Sequence, residues 1–128
     1  MEITIGMKGV ASTTVERSDT AYEVGSGSLL VYATPCMVAL MEGAACEAIA
    51  AALPEGKASV GTALNITHIS ATPVGMEVRA EAEVTEVSGS VITFTVNAYD
   101  EAGKIGEGTH KRALVTEQRF LDKTYAKL

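Results

Sequence analysis

Between Thr34 and about Leu53 almost every side chain is apolar or small, on all faces of the helix that the segment would form. Such a helix has to be enclosed by other structure. Thr34-Pro35 reads as its start, because threonine can cap free backbone N–H groups and proline's preset φ suits the first helical turn. Pro54-Glu55-Gly56 ends it. The stretch has the length of a membrane span, but it carries Glu42 and Glu47, and an acid at that depth costs about 2.5 kcal/mol or more. The expectation is a helix buried within a protein, with no membrane.

The flanking segments supply the enclosure. Residues Met7 to Arg17 alternate in a β-rich run, and Ser18 to Ser28 carries turn chemistry and reads as a loop. After the helix, Ala58 to Ser70 sets Val60, Thr62, Leu64, Ile66 and His68 on one face. Val74 to Thr85 alternates cleanly, with Val78, Ala80, Ala82 and Val84 against Glu77, Arg79, Glu81 and Glu83. A turn at Ser88-Gly89-Ser90 leads into Val91 to Tyr99, and Asp100-Glu101-Ala102-Gly103 turns into Lys104 to Val115. The tail from Thr116 reads as peripheral. The order implies an α+β fold: a five-stranded antiparallel sheet curling around one long central helix. The 128 residues show no repeat or linker and suit one domain over 1–128. Five strands cannot cover every face of such a helix, so a second copy is expected as the cover, in a homodimer or a higher oligomer.

Composition narrows the function. The net charge of -6 disfavours nucleic-acid partners. Cys36 and Cys46 lie about 15 Å apart along the helix and cannot pair, and no secretory signal pattern opens the chain, which points to a reducing, cytoplasmic setting. No phosphate-binding glycine loop, Gly-x-Ser-x-Gly elbow, His-Glu-x-x-His motif or zinc-spaced Cys/His set is present, so no metal is expected.

Candidate chemistry sits on a few residues. Glu42 is a carboxylate in an apolar helix; buried without a cation it would be a base working near neutrality, and otherwise it points through a gap to solvent. Glu47 lies about 140° around the helix, so the two acids cannot share one exit. His68 faces the helix by strand alternation, either as an acid/base partner for Glu42 or as a hydrogen-bonded core residue. His110 reads as structural or surface. Thr34 is a helix cap that also sits beside unpaired N–H groups able to hold an oxyanion or a water. It lies about 12 Å along the axis from Glu42, too far to share a reacting atom unless the chain bends or a second subunit contributes. Gly61 permits close approach of a ligand to its N–H, or marks a bulge. Lys104, Lys111 and Arg112 form a small basic group suited to phosphates, or are scattered solvated charges. Cys36 has no basic partner that would make it a nucleophile.

The string from Thr34 through Glu42 to Gly43-Ala44-Ala45, Val60-Gly61-Thr62 with His68, Ala71-Thr72-Pro73 with Gly75, and Lys104 to Arg112 (Lys-Ile-Gly-Glu-Gly-Thr-His-Lys-Arg) resembles the fluoroacetyl-CoA thioesterase family of hot-dog-fold proteins. The likeness covers most of the chain. It implies a dimeric hot-dog fold that hydrolyses acyl-CoA thioesters near the dimer interface, with coenzyme A as part of the substrate and no separate cofactor. The family's catalytic threonine, glutamate and histidine correspond to Thr34, Glu42 and His68. One departure is plain: where the fluoroacetyl-specific member has lid phenylalanines before the threonine, this chain has Gly25-Ser26-Gly27-Ser28. Fluorine selectivity therefore does not carry over with the chemistry.

The combined reading is an acyl-CoA thioesterase for small or short-chain substrates. Glu42 serves as base or nucleophile, His68 moves the proton and Thr34 positions reactants, while Gly61, Lys111 and Arg112 bind substrate. A hot-dog hydratase or dehydratase and a non-catalytic acyl-CoA or small-molecule binding module are the alternatives.

Overall fold

The computed structural model describes residues 2–128. Strand β1 (Lys8–Thr14) is followed by a 3-10 turn at Arg17–Asp19, a one-turn helix α1 (Ala21–Val24) and the long helix α2 (Thr34–Ile49). Strands β2 (Lys57–His68), β3 (Glu77–Ser88), β4 (Val91–Asp100) and β5 (Gly103–Thr116) come next, and a terminal helix α3 (Glu117–Tyr125) closes the chain. The strands form one antiparallel sheet in the order β1-β3-β4-β5-β2.

Alternation decides which face of the sheet the helix meets. Val78, Ala80, Ala82 and Val84 of β3 are buried, as are Ile92, Phe94, Val96 and Ala98 of β4, and they pack against Met37, Met41, Ala44, Ala45 and Ile49 of α2. The small residues let the helix lie close. At β1 the approach is closer still: a Cβ on Gly9 would sit 2.2 Å from the Ala44 carbonyl oxygen. Only glycine lets the strand cross the helix backbone there.

Several local expectations are corrected. The helix ends at Ile49 rather than Leu53, because Ala50–Ala52 tightens into a 3-10 turn. The N-cap is Ala33, not Thr34, which is the first helical residue, and no side chain caps this end. The Ser18–Ser28 segment contains α1, capped by the Thr20 hydroxyl and terminated by Gly25 at φ +79°. Val74 and Met76 precede β3, in a turn where Gly75 adopts φ +98°. The tail from Thr116 is peripheral as expected, forming a helix with no buried residue on which Phe120, Leu121 and Tyr125 are exposed.

Within one chain the sheet has two open edges, β1 and β2, and Glu47 on α2 accepts from the Val10 N–H of β1 at 3.1 Å. Opposite its buried face, α2 exposes Pro35, Ala39, Gly43 and Glu47.

Candidate active site

The first cluster forms where α2 begins. The Thr34 hydroxyl lies 2.7 Å from His68 Nδ1. Because the helix does not use that hydroxyl as a cap, it is free for the imidazole. His68 reaches it from the last residue of β2, paired with Gly106, where a side chain would collide with Met37. The other ring nitrogen, His68 Nε2, is buried with no hydrogen-bond partner. Burial lowers the His68 pKa below its ordinary value, with the Ser70 backbone acting in the opposite direction. The pair opens on a cleft of about 280 Å³ whose walls include Tyr32, Ser26, Ile69 and Ala71. A larger cleft of about 600 Å³ between Leu53, Pro54, Val87, Ile92 and Leu114 holds none of Thr34, Glu42 and His68. Chemistry, not size, therefore selects the smaller one.

The second cluster forms two helical turns further along. Glu42 Oε2 accepts from Arg112 Nη1 at 3.2 Å and lies 4.0 Å from His110 Nε2. Of the two readings of Glu42, burial without a cation is corrected, because a guanidinium adjoins it, and its 35% exposed side chain agrees with the reading in which it reaches solvent through a gap. Arg112 is itself nearly buried; its Nε donates to Ser59 Oγ at 2.8 Å and its Nη2 to the Ser59 carbonyl at 3.1 Å.

Arg112 is therefore committed inside the fold and does not join a phosphate-facing group. Its neighbour Lys111 lies on the opposite face of β5, as period-2 alternation requires, and Lys104 is paired to Glu107 at 2.6 Å. The expected basic group is dispersed.

A bulge brings the second cluster together. Pairing with β5 slips between Gly61 and Ala63, leaving Thr62 as the extra residue. Val60 and Thr62 consequently fall out of phase with the face carrying Leu64, Ile66 and His68, which corrects the single unbroken alternation expected for this strand. Gly61 moves onto the helix face, where a Cβ would stand 2.3 Å from Glu42 Oε2. Its lack of a side chain makes room for the carboxylate.

His68 and Glu42 do not meet within one chain. The helix between Thr34 and Glu42 is continuous, so no bend shortens the interval of about 12 Å. His110, read as structural or surface, is 1% exposed and belongs to the Glu42 cluster. Its spacing of two from Arg112 on a strand was the available sign that both share a face.

An antiparallel five-stranded sheet laid over one helix, with a hydroxyl–imidazole pair at the helix start and a carboxylate along it, defines a hot-dog-fold protein of the thioesterase kind. Residues 15–118 match the family described as fluoroacetyl-CoA-specific thioesterase, and the chain belongs to that family. It is 43% identical over 90 residues to the fluoroacetyl-CoA thioesterase of Streptantibioticus cattleyicolor, an alignment covering 70% of this chain and 65% of that protein. The crystal structure of a single-residue variant of the fluoroacetyl-CoA-specific thioesterase superposes with TM-score 0.93 at 33% identity, over 100% of this chain and 99% of the other. The same variant solved in complex with fluoroacetate and CoA gives 0.87 at 34% identity, over 92% and 99% of the two chains. A thioesterase superfamily member from Thermus thermophilus gives 0.85 at 28% identity, over 98% of each chain.

Proposed function

We propose that this protein is a homodimeric acyl-CoA thioesterase that hydrolyses a small or short-chain acyl-CoA to the free acid and CoA. The observation that carries the reading is the Thr34–His68 pair, with Nδ1 engaged at 2.7 Å and Nε2 buried without a partner. A buried polar atom left unpaired is costly, and a reacting group supplies what it lacks.

The second copy completes the site. In the proposed dimer two β2 edges pair antiparallel about a two-fold axis, which extends the sheet across both copies. Antiparallel pairing runs the Gly61 end of one β2 toward the His68 end of the other, so the partner's Glu42, beside the partner's Gly61, approaches the Thr34–His68 pair. Each dimer carries two such sites.

In the reaction, the Glu42 carboxylate takes a proton from water and the water oxygen attacks the thioester carbon, or the carboxylate attacks it directly and water cleaves the resulting anhydride. The C–S bond breaks, and the thiolate leaves as CoA after receiving a proton by way of His68. Thr34 positions the acyl group, and the Gly61 N–H and the first turn of α2 favour charge on the carbonyl oxygen. Unpaired Cys36 and Cys46 suit a reducing, cytoplasmic setting. Burial and then Asp19 raise the Cys36 pKa, which disfavours a thiolate nucleophile.

The test is thiol release from a panel of acyl-CoA esters, including acetyl-, fluoroacetyl-, propionyl- and butyryl-CoA. Release from short unfluorinated esters, with no large preference for the fluorinated one, is the expected outcome. Tight binding without release, or change in the acyl chain with the thioester intact, would sink the proposal in favour of a binding module or a hydratase.

A further inference from the structure

His110 has one protonation state that its neighbours allow. Its Nδ1 lies 2.9 Å from the Ala63 carbonyl oxygen, which only accepts, so Nδ1 carries the hydrogen. Its Nε2 lies 3.1 Å from Arg112 Nη1, which only donates, so Nε2 is bare. The ring is thereby neutral and fixed as the Nδ1–H tautomer, and its approach to Glu42 is no ion pair. Phe94 stacks on it with ring centroids 5.8 Å apart. Ala63 follows the extra residue of the β2 bulge, so the same irregularity that admits Glu42 beside Gly61 also aims the carbonyl that orients His110.

We infer that His110 is a positioning residue for the reacting carboxylate: its bare Nε2 holds the Arg112 guanidinium, and that guanidinium sets Glu42 Oε2 over Gly61. The inference deepens the hydrolase reading and rests on it. Three elements converge on Arg112, with Ser59 on β2 fixing Nε and Nη2 while Glu42 on α2 and His110 on β5 share Nη1. Without the Nε2 acceptor, Nη1 loses the contact that aligns it between imidazole and carboxylate.

Protonation has the same consequence as removal. An Nε2–H would face an Arg112 N–H, and an imidazolium 4.0 Å from Glu42 would compete for the carboxylate. The charged groups facing His110 are Arg112 from its own strand and Glu42 from α2; Ser59 and Ala63 from β2 and Phe94 from β4 are neutral. Burial lowers the His110 pKa and Arg112 adds to that, against the Ala63 carbonyl and Glu42, so the working form persists through neutrality.

The experiment compares His110→Leu with His110→Gln, whose carbonyl accepts from Arg112 and whose amide donates to Ala63. For the leucine variant kcat falls about tenfold or more while KM changes less than about threefold; the glutamine variant recovers most of kcat, and the acid limb of its rate profile moves to lower pH. Nitrogen-15 NMR of the free wild-type protein reports the Nδ1–H tautomer of His110 at neutral pH, a readout that needs no turnover. An Nε2–H tautomer overturns the inference, as does a leucine variant with wild-type kcat, or a glutamine variant that keeps the wild-type melting temperature yet is no better than leucine. A wild-type protein that releases no thiol from any ester instead overturns the hydrolase reading, and the NMR result still decides the tautomer.

Discussion

The two histidines of this fold stand in opposite conditions. Around His110 every polar atom has a partner: Ala63 and Arg112 take its two nitrogens, and Arg112 spends its remaining contacts on Ser59 and Glu42. Around His68 one nitrogen meets Thr34 and the other is buried with nothing to bond. A closed network fixes geometry, because any displacement breaks several hydrogen bonds together. An open pair leaves valence for a substrate. The first region therefore suits holding the carboxylate, and the second suits meeting the acyl group.

The comparison can be broken at three places. Glu42→Gln keeps the volume and the Arg112 contact but removes the base, and kcat for acyl-CoA hydrolysis should fall about a thousandfold; a variant turning over at the wild-type rate would remove Glu42 from the mechanism. Thr34→Val should cost about thirtyfold in kcat/KM, with Thr34→Ser largely retained. Because Ala33 is the cap, the valine variant should lose only the His68 hydrogen bond, about 0.5–1.5 kcal/mol in urea unfolding. A loss of about 2.5 kcal/mol or more would add a capping role to the His68 contact and weaken the catalytic reading. Gly61→Ala tests the closed side. Its new methyl would meet the end of a flexible carboxylate, with Arg112 Nη1 and His110 Cε1 each at 3.3 Å, so the side chain swings away. The expected result is about a tenfold drop in kcat with less than about 2 kcal/mol of destabilisation. Unchanged kcat would mean that the position of Glu42 over Gly61 does not matter to the reaction.

Alternation made much of the sheet legible. The buried Val78-Ala80-Ala82-Val84 row and the turn at Gly89 follow from period-2 patterning and turn chemistry, both of which are local. Strand β2 was legible in part: Gly61 carried a bulge as one of its two readings, but Val60 and Thr62 were set on the His68 face, and only pairing with β5 shows Thr62 to be the extra residue. The site was legible in its members and not in its partnerships. Thr34, Glu42 and His68 stood out by residue type and setting, whereas Arg112 read as a substrate-binding or solvated cation and His110 as structural or surface. Their roles come from contacts with Glu42, Ser59 and Ala63, residues 47 to 70 positions away.

The sequence by itself determined that an apolar helix must be covered by alternating strands, that a threonine and a glutamate lie on that helix, and that a histidine is carried toward it. Periodicity and composition act over neighbouring residues, so they survive in a string of letters. Only the tertiary structure decided that Glu42 belongs with Arg112 and His110 while His68 belongs with Thr34. That division depends on a one-residue slip between two strands and on which donor reaches which acceptor, and both are set by the packing of distant segments.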